Sequence, residues 1–232
     1  MSETLPALLF CTSYMDSHDA WVRRYSRWMD YYERLPLDRC ATFLIDDASP
    51  FIPTDPRLLM VEELPATLGA STFHLHRFPD HHGQESFKKH WGWWRSFLFS
   101  LTIARRYGCR KIIHIESDAF VLSPSMVDYI NSRRAGWTTF WCPRYKMPES
   151  AIQVIVEDQF PAMQKLAATA VRKLAKKMAE FRLPFTHLNR SFVGDRYGEH
   201  LPSIPDEADF ACQINSTSIP VAFRGNLANA PA

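Results

Sequence analysis

A β-branched run, Lys111-Ile112-Ile113-His114-Ile115, ends abruptly in Glu116-Ser117-Asp118, and apolar residues resume at once with Ala119-Phe120-Val121-Leu122. The run reads as a buried strand, because Ile and Val suit a pleated position covered on both faces. Two acids at the carboxyl end of such a strand are costly to bury unpaired. They therefore belong at the crevice along the sheet edge, where open α/β folds bind ligands. Glu116 and Asp118 are two apart and point the same way on a regular strand. Two convergent carboxylates can hold a divalent ion that bridges phosphates. The plainer reading is a turn after a strand, with Asp118 as the cap of the next segment.

A second pair of acids, Asp46-Asp47, closes the run Ala41-Thr42-Phe43-Leu44-Ile45. An acid at this place in a nucleotide-binding sheet meets ribose or base hydroxyls; the competing reading is an Asx-turn before Ser49-Pro50. His74, His76, His81 and His82 cluster in sequence, but without an organised ligand spacing, and read as strand and solvated loop. No GxGxxG, GxxxxGK[ST] or GxSxG is present.

The elements that must position these acids alternate. Leu8–Ser13 reads as a first strand, and a helix comes next from about Asp19 to Leu35, with Trp21, Tyr25, Trp28 and Tyr32 at helical spacing as a core stripe. Pro36 ends it. Strand, helix and the strand at Ala41–Ile45 make a βαβ unit, hence parallel strands. Pro50 to Pro65 looks irregular, and Phe73–Phe78 alternates as a short strand. A long helix is expected from about Ser86 to Tyr107, closed by Gly108 as a C-cap. Trp137–Cys142 is a further strand, Pro148-Glu149-Ser150 a helix start, and 161–181 an amphipathic helix. Lys165, Arg172, Lys173, Lys176 and Lys177 lie on one side of that helix, and Leu166, Val171, Leu174 and Met178 on the other.

Composition narrows the partners. The chain has 232 residues and a formal net charge of +2, so nothing demands nucleic acid. No apolar run approaches membrane-spanning length, and the start Met1–Pro6 does not read as a secretory signal. The five cysteines are scattered, with no CxxC, and indicate neither a zinc site nor a disulfide framework. A reducing, cytoplasmic setting is expected. The Lys-rich helix permits peripheral contact with an anionic membrane.

This arrangement resembles the GT-A nucleotide-sugar glycosyltransferases over about residues 5 to 145. Glu116-Ser117-Asp118 is similar to the family's Asp-x-Asp motif, with Glu in first place. The resemblance implies a Rossmann-like α/β fold with a mostly parallel central sheet flanked by helices. It implies one domain over 1–232, with a nucleotide-binding half at about 5–122 and an acceptor-side half at about 123–232. It also implies Mn2+ or Mg2+ on Glu116 and Asp118, with Ser117 between them on the donor nucleotide. Thr12, Ser13, Tyr14, Asp46 and Asp47 would form the nucleoside-binding edges. Lys88, Trp91, Trp94 and Arg95 look like the family's helix beside the donor.

The activity so implied is transfer of a sugar from a nucleotide-diphosphate sugar to an acceptor hydroxyl of a carbohydrate or glycolipid. An inverting enzyme needs a carboxylate to deprotonate that hydroxyl; the candidates are Glu149, Asp158 and Asp209. Two other classes stay open. A sugar-phosphate nucleotidyltransferase would show a Gly-rich basic loop after the first strand, and Thr12-Ser13-Tyr14-Met15-Asp16 has no Gly, Lys or Arg. The other is a non-catalytic nucleotide-binding protein.

Overall fold

The computed structural model describes residues 4–69, 72–86 and 89–225; of residues 84–86 and 89 only the backbone is described. In chain order the strands are β1 Ala7–Ser13, β2 Ala41–Asp46, β3 Leu58–Val61, β4 Phe73–Arg77, β5 Gln84–Ser86, β6 Lys89–His90, β7 Lys111–Ile115, β8 Phe120–Val121, β9 Trp137–Cys142, β10 Met147–Val156, β11 His187–Asn189, β12 Gly194–Asp195 and β13 Phe210–Ala211. The helices are α1 His18–Ala20, α2 Arg27–Arg34, α3 Trp91–Arg106, α4 Pro124–Ser132, α5 Phe160–Ala167 and α6 Val171–Leu174.

Eight strands form the main sheet in the order β11-β9-β10-β7-β1-β2-β4-β3. β1 pairs in parallel with both β2 and β7, and β4 with β2 and β3. Only β10 runs against its neighbours. The protein is thus an α/β fold with a large, mostly parallel, Rossmann-like sheet. The carboxyl ends of β1, β2, β4 and β7 lie along one edge, and β10 enters the sheet at that same edge.

Strand periodicity of two divides the core between the two faces. Leu9, Cys11, Leu44, Ile113 and Ile115 pack with Trp21, Tyr25, Trp28 and Tyr32 on one face. Leu8, Phe10, Phe43, Ile45 and Ile112 pack with Trp94, Phe97, Leu98 and Leu101 of α3 on the other. Full burial of a Phe-sized side chain contributes about 1.5–3 kcal/mol. The aromatic stripe on residues 18–34 is core, as its spacing predicts. A π-helical stretch, Trp21–Ser26, joins α1 to α2. Tyr32 also fixes the turn after β7: its hydroxyl donates to Ala119 O (3.0 Å) and accepts from Val121 N (3.2 Å).

Four elements differ from expectation. The stretch read as irregular between Pro50 and Pro65 contains β3, which needs no alternation because it is an edge strand whose Leu59 and Met60 stay exposed. α3 begins at Trp91 rather than near Ser86, because β5 and β6 precede it as an antiparallel pair. Its second residue, Gly92, touches Asp47, and a Cβ there would sit 2.1 Å from Asp47 Oδ2. Pro148-Glu149-Ser150 lies inside β10 rather than opening a helix. The 161–181 stretch is not one helix but α5, α6 and the 3-10 turn Ala179–Phe181. Ala170 takes an extended ψ of 129° and breaks the run. Its five cations therefore do not lie on one helix; Arg172 lies 5.5 Å from the Trp91 ring centroid, and Lys177 lines a cleft at the carboxyl edge of the sheet. The single basic helix expected to permit peripheral membrane contact is thus not formed. No helix among the described residues is long and apolar enough to cross a membrane.

Gly108 comes after α3 at φ +66°, and nothing lies within 4 Å of where its Cβ would be. The cap therefore needs glycine for its backbone and not for space. Gly108→Ala is expected to destabilise the fold by about 1–2 kcal/mol with no change in packing; urea unfolding that showed no loss would contradict this.

Candidate active site

A cleft of about 670 Å3 opens at the carboxyl edge of the sheet. Thr12, Ser13 and Tyr14 from the end of β1, Asp47 after β2, and Glu116 and Asp118 after β7 line one part of it. Glu149 of β10, Lys177, Glu180 and Arg196 line the other. Strand order creates this grouping, since β1 lies between β2 and β7 and β10 pairs with β7.

Glu116 sits at the centre. The Thr12 hydroxyl donates to both of its carboxylate oxygens (2.9 and 3.1 Å), His114 Nε2 approaches Oε1 at 2.8 Å, and Trp93 Nε1 donates to the same oxygen. The His114 proton is placed by a relay. Trp137 Nε1 donates to Gln153 Oε1 (2.8 Å), which turns the Gln153 amide nitrogen toward His114 Nδ1 (3.3 Å). Nδ1 is then the acceptor and Nε2 carries the hydrogen. Burial pushes the Glu116 carboxyl up, but His114, Trp93 and Thr12 outweigh it and hold the group below the usual range.

Asp118 is different. Its partner is Arg24 of the π-helical stretch, at 3.5 Å, while Arg24 Nε donates to Ser117 Oγ (3.1 Å). Burial raises the Asp118 carboxyl and Glu116 adds to it, against Arg24. The acid thus faces the cleft with spare lone pairs. An all-oxygen donor set of this kind suits a hard divalent cation. Among the described residues no group of three or more His, Cys, Asp or Glu side chains could hold a metal by itself. A cation on Asp118 would complete its shell with phosphate and water oxygens, as magnesium does in phosphate sites.

Across the cleft Arg196 clamps two buried carboxylates. It donates to Glu149 from Nε (2.8 Å) and Nη2 (3.2 Å), and to Glu180 from Nη2 (2.7 Å). Ser150 Oγ adds a donor to Glu180 at 3.1 Å. Burial pushes the Glu149 carboxyl up, and Arg196 opposes it. Gln213 lines the cleft at φ +60°, a left-handed conformation that is strained for a residue with a Cβ.

The other residues expected at the site divide. Tyr14 lines the cleft and stacks on His81, with ring centroids 4.3 Å apart. Asp47 lines it too, fixed by Arg95 and by the backbone N–H of Gly83 (2.8 Å). Trp94 reaches the cleft wall but is mostly core. Asp46 is fully buried and accepts from Ser13 Oγ (3.1 Å), Ser49 N (2.8 Å) and Ser49 Oγ; it closes the Asx-turn and does not line the cleft. Arg95 is bound to Asp47 and Asp80 beside the Phe78 ring, so it positions Asp47 and does not itself line the cleft. Ser117 is buried under Arg24. Lys88 lies outside the described residues.

Two candidate bases are displaced. Asp158 accepts the Gly136 N–H (2.9 Å) beyond the far end of β10, where Val156 pairs with Lys111 at the start of β7. That is the opposite edge of the sheet from the cleft. Asp209 accepts the Val193 N–H (2.8 Å) and holds the turn before β13. Arg24, Trp93, His114, Glu180 and Arg196 were not legible as site residues. Only His114, a polar residue inside an apolar strand, carried a signal.

No protein-family model matches this chain. No curated protein matches it in sequence. Among solved structures it is similar to a glycosyltransferase involved in the glycosylation of the major capsid of PBCV-1. Identity is 9% and the TM-score 0.46, over 91% of this chain and 95% of that one.

The two charge networks respond differently to substitution. Arg196→Met leaves two buried carboxylates unpaired and should cost about 3–5 kcal/mol. Replacing Glu149 and Glu180 by Gln in the same variant should recover part of that loss in chemical denaturation. Glu116→Gln should cost about 1–3 kcal/mol near neutral pH, because the charge is lost and the amide leaves one acceptor oxygen for the three donors around it. The folded-state pKa of Glu116 is depressed, so its stabilisation is complete above the unfolded value and is lost as pH falls through the folded one. The gap between wild type and variant should therefore close on acidification; a gap that widened toward low pH would contradict the network.

Proposed function

We propose that the protein is a glycosyltransferase that moves a sugar from a nucleotide-diphosphate donor to an acceptor hydroxyl, with a divalent cation held at Asp118. The observation that carries this is electrostatic. Among the described side chains five carboxylates, Asp47, Glu116, Asp118, Glu149 and Glu180, line the cleft against three permanent cations, Arg24, Lys177 and Arg196, with Arg95 paired to Asp47 behind them. An anionic diphosphate would meet a net negative wall there. A divalent cation that travels with it, or waits on Asp118, reverses the sign. The position at the carboxyl ends of parallel strands and the Glu-Ser-Asp turn support the same reading.

Within it, Asp118 is the direct metal ligand. Glu116, whose oxygens already accept from Thr12, His114 and Trp93, reaches the metal only with a spare lone pair or through water. Manganese or magnesium there would neutralise the diphosphate leaving group. Arg24 lies where a second positive charge can meet a phosphate oxygen. Thr12, Ser13, Tyr14 and Asp47 form the nucleoside end, with Tyr14 stacked on His81 as an aromatic wall. For an inverting reaction the acceptor hydroxyl would lose its proton to Glu149. That carboxylate is raised by burial and held in direction by Arg196, which suits a base that must not rotate.

Asp118→Ala should abolish manganese-dependent binding of nucleoside diphosphates and leave the circular dichroism spectrum intact. The variant should lose little stability, since the ion pair of Asp118 with Arg24 is loose and Glu116 is a like-charged neighbour. Calorimetric titration of wild type and variant, with and without manganese, checks this. Equal manganese-dependent affinity in both would refute the metal site.

A further inference from the structure

The sheet edge opposite the cleft holds a second chemically competent pair. Cys40 enters β2 and Cys109 enters β7, and their Sγ atoms lie 3.3 Å apart. The two residues are 69 positions apart in sequence, so only the fold brings them together. β1 runs between β2 and β7 in the sheet, and the two thiols meet across its start. Both backbones are pinned there. Cys40 N donates to Ala7 O (2.9 Å) and Cys109 N to Ala104 O (2.8 Å).

We propose that Cys40 and Cys109 form a reactive dithiol that a low-molecular-weight disulfide, such as oxidised glutathione, converts to an intramolecular disulfide. Cys40 is exposed and is the attacking group, while Cys109 is buried and resolves. The Cys40 thiolate attacks one sulfur of the small disulfide, the S–S bond breaks, and one thiolate leaves. Cys109 then gives up its proton to solvent and attacks Cys40 Sγ, and the second small thiolate leaves. The protein dithiol is oxidised by two electrons, and the small disulfide is reduced to two thiols. Closure to the S–S bond length of about 2.05 Å asks the sulfurs to approach by roughly 1 Å. That lies within side-chain rotation between pinned backbones.

The remaining cysteines set the selectivity. Cys11, Cys142 and Cys212 are buried, and burial pushes each thiol up, so none offers an accessible thiolate. Cys40 is shifted the other way, because the Cys109 thiol donates to it. The pair stands a full strand length from the cleft, at the start of β1 rather than at its Ser13 end, and so is separate from the glycosyl-transfer site. Oxidation would tie β2 to β7 across β1 and close a long loop in the unfolded chain.

The test treats the native full-length protein with oxidised glutathione at mildly alkaline pH. Free thiols should fall by two, the mass should drop by two hydrogens, and peptide mapping should find Cys40 joined to Cys109. Dithiothreitol should restore both thiols. Cys109→Ala should stop at a glutathione adduct on Cys40, and Cys40→Ala should consume no oxidant while folded. The proposal fails if the native wild type keeps all its thiols, if it stops at the mixed adduct, or if the pair closes only in denaturant.

Discussion

The carboxylate of Glu116 is the interaction on which the cleft depends. It is a charge at the end of a buried strand, and such a charge persists only where several donors converge on it. Those donors come from three separate elements: Thr12 from β1, His114 from β7 and Trp93 from α3. Satisfying one acid therefore fixes the spacing of two strands and a helix at the edge where the cleft opens. The Trp137–Gln153–His114 relay extends the same constraint into β9 and β10. Each side chain in it has a polar task that a substituted hydrophobe could not perform.

Around this fixed centre the cleft divides by how completely its charges are paired. Arg196 holds Glu149 and Glu180 at hydrogen-bond distance, a closed arrangement that orients both acids. Asp118 and Arg24 are looser, at 3.5 Å. A pair at that distance gives up less when a ligand intervenes than a tight pair would. The half bearing Asp118 can thus exchange partners when a ligand enters, and the half bearing Arg196 keeps its shape. The aromatic stripe contributes to this division. Trp28 and Tyr32 are core, but the Tyr32 hydroxyl ties the turn that carries Asp118, and Arg24 lies one residue before Tyr25 on the same stretch.

Much of the sheet was legible because its strands are short β-branched runs buried on both faces, ended by polar turns. β1, β2, β4, β7 and β9 read correctly within a residue or so at either end, and Gly108 read as the cap of α3. The failures have local causes. Pro148-Glu149-Ser150 looks like a helix start, yet Glu149 is drawn into β10 by pairing with β9 and by the buried Arg196. The apolar positions of 161–181 fit a helical period, but Ala170 leaves the helical region and the cations disperse. Asp46 and Asp47 are adjacent in sequence and opposite in fate, because successive residues at a strand end face different ways: one closes an Asx-turn and the other lines the cleft.

The sequence by itself determined the alternation of strands and helices, hence a mostly parallel sheet, and it marked Glu116 and Asp118 as acids at a strand end. Those features depend on neighbours a few residues away, where periodicity and propensity act. The tertiary structure alone decided which distant groups meet those acids. Arg24 stands opposite Asp118, Arg196 clamps Glu149, Asp158 falls at the far edge and Cys40 meets Cys109. Strand order sets each of these outcomes, and strand order is a long-range pairing choice that no local pattern encodes.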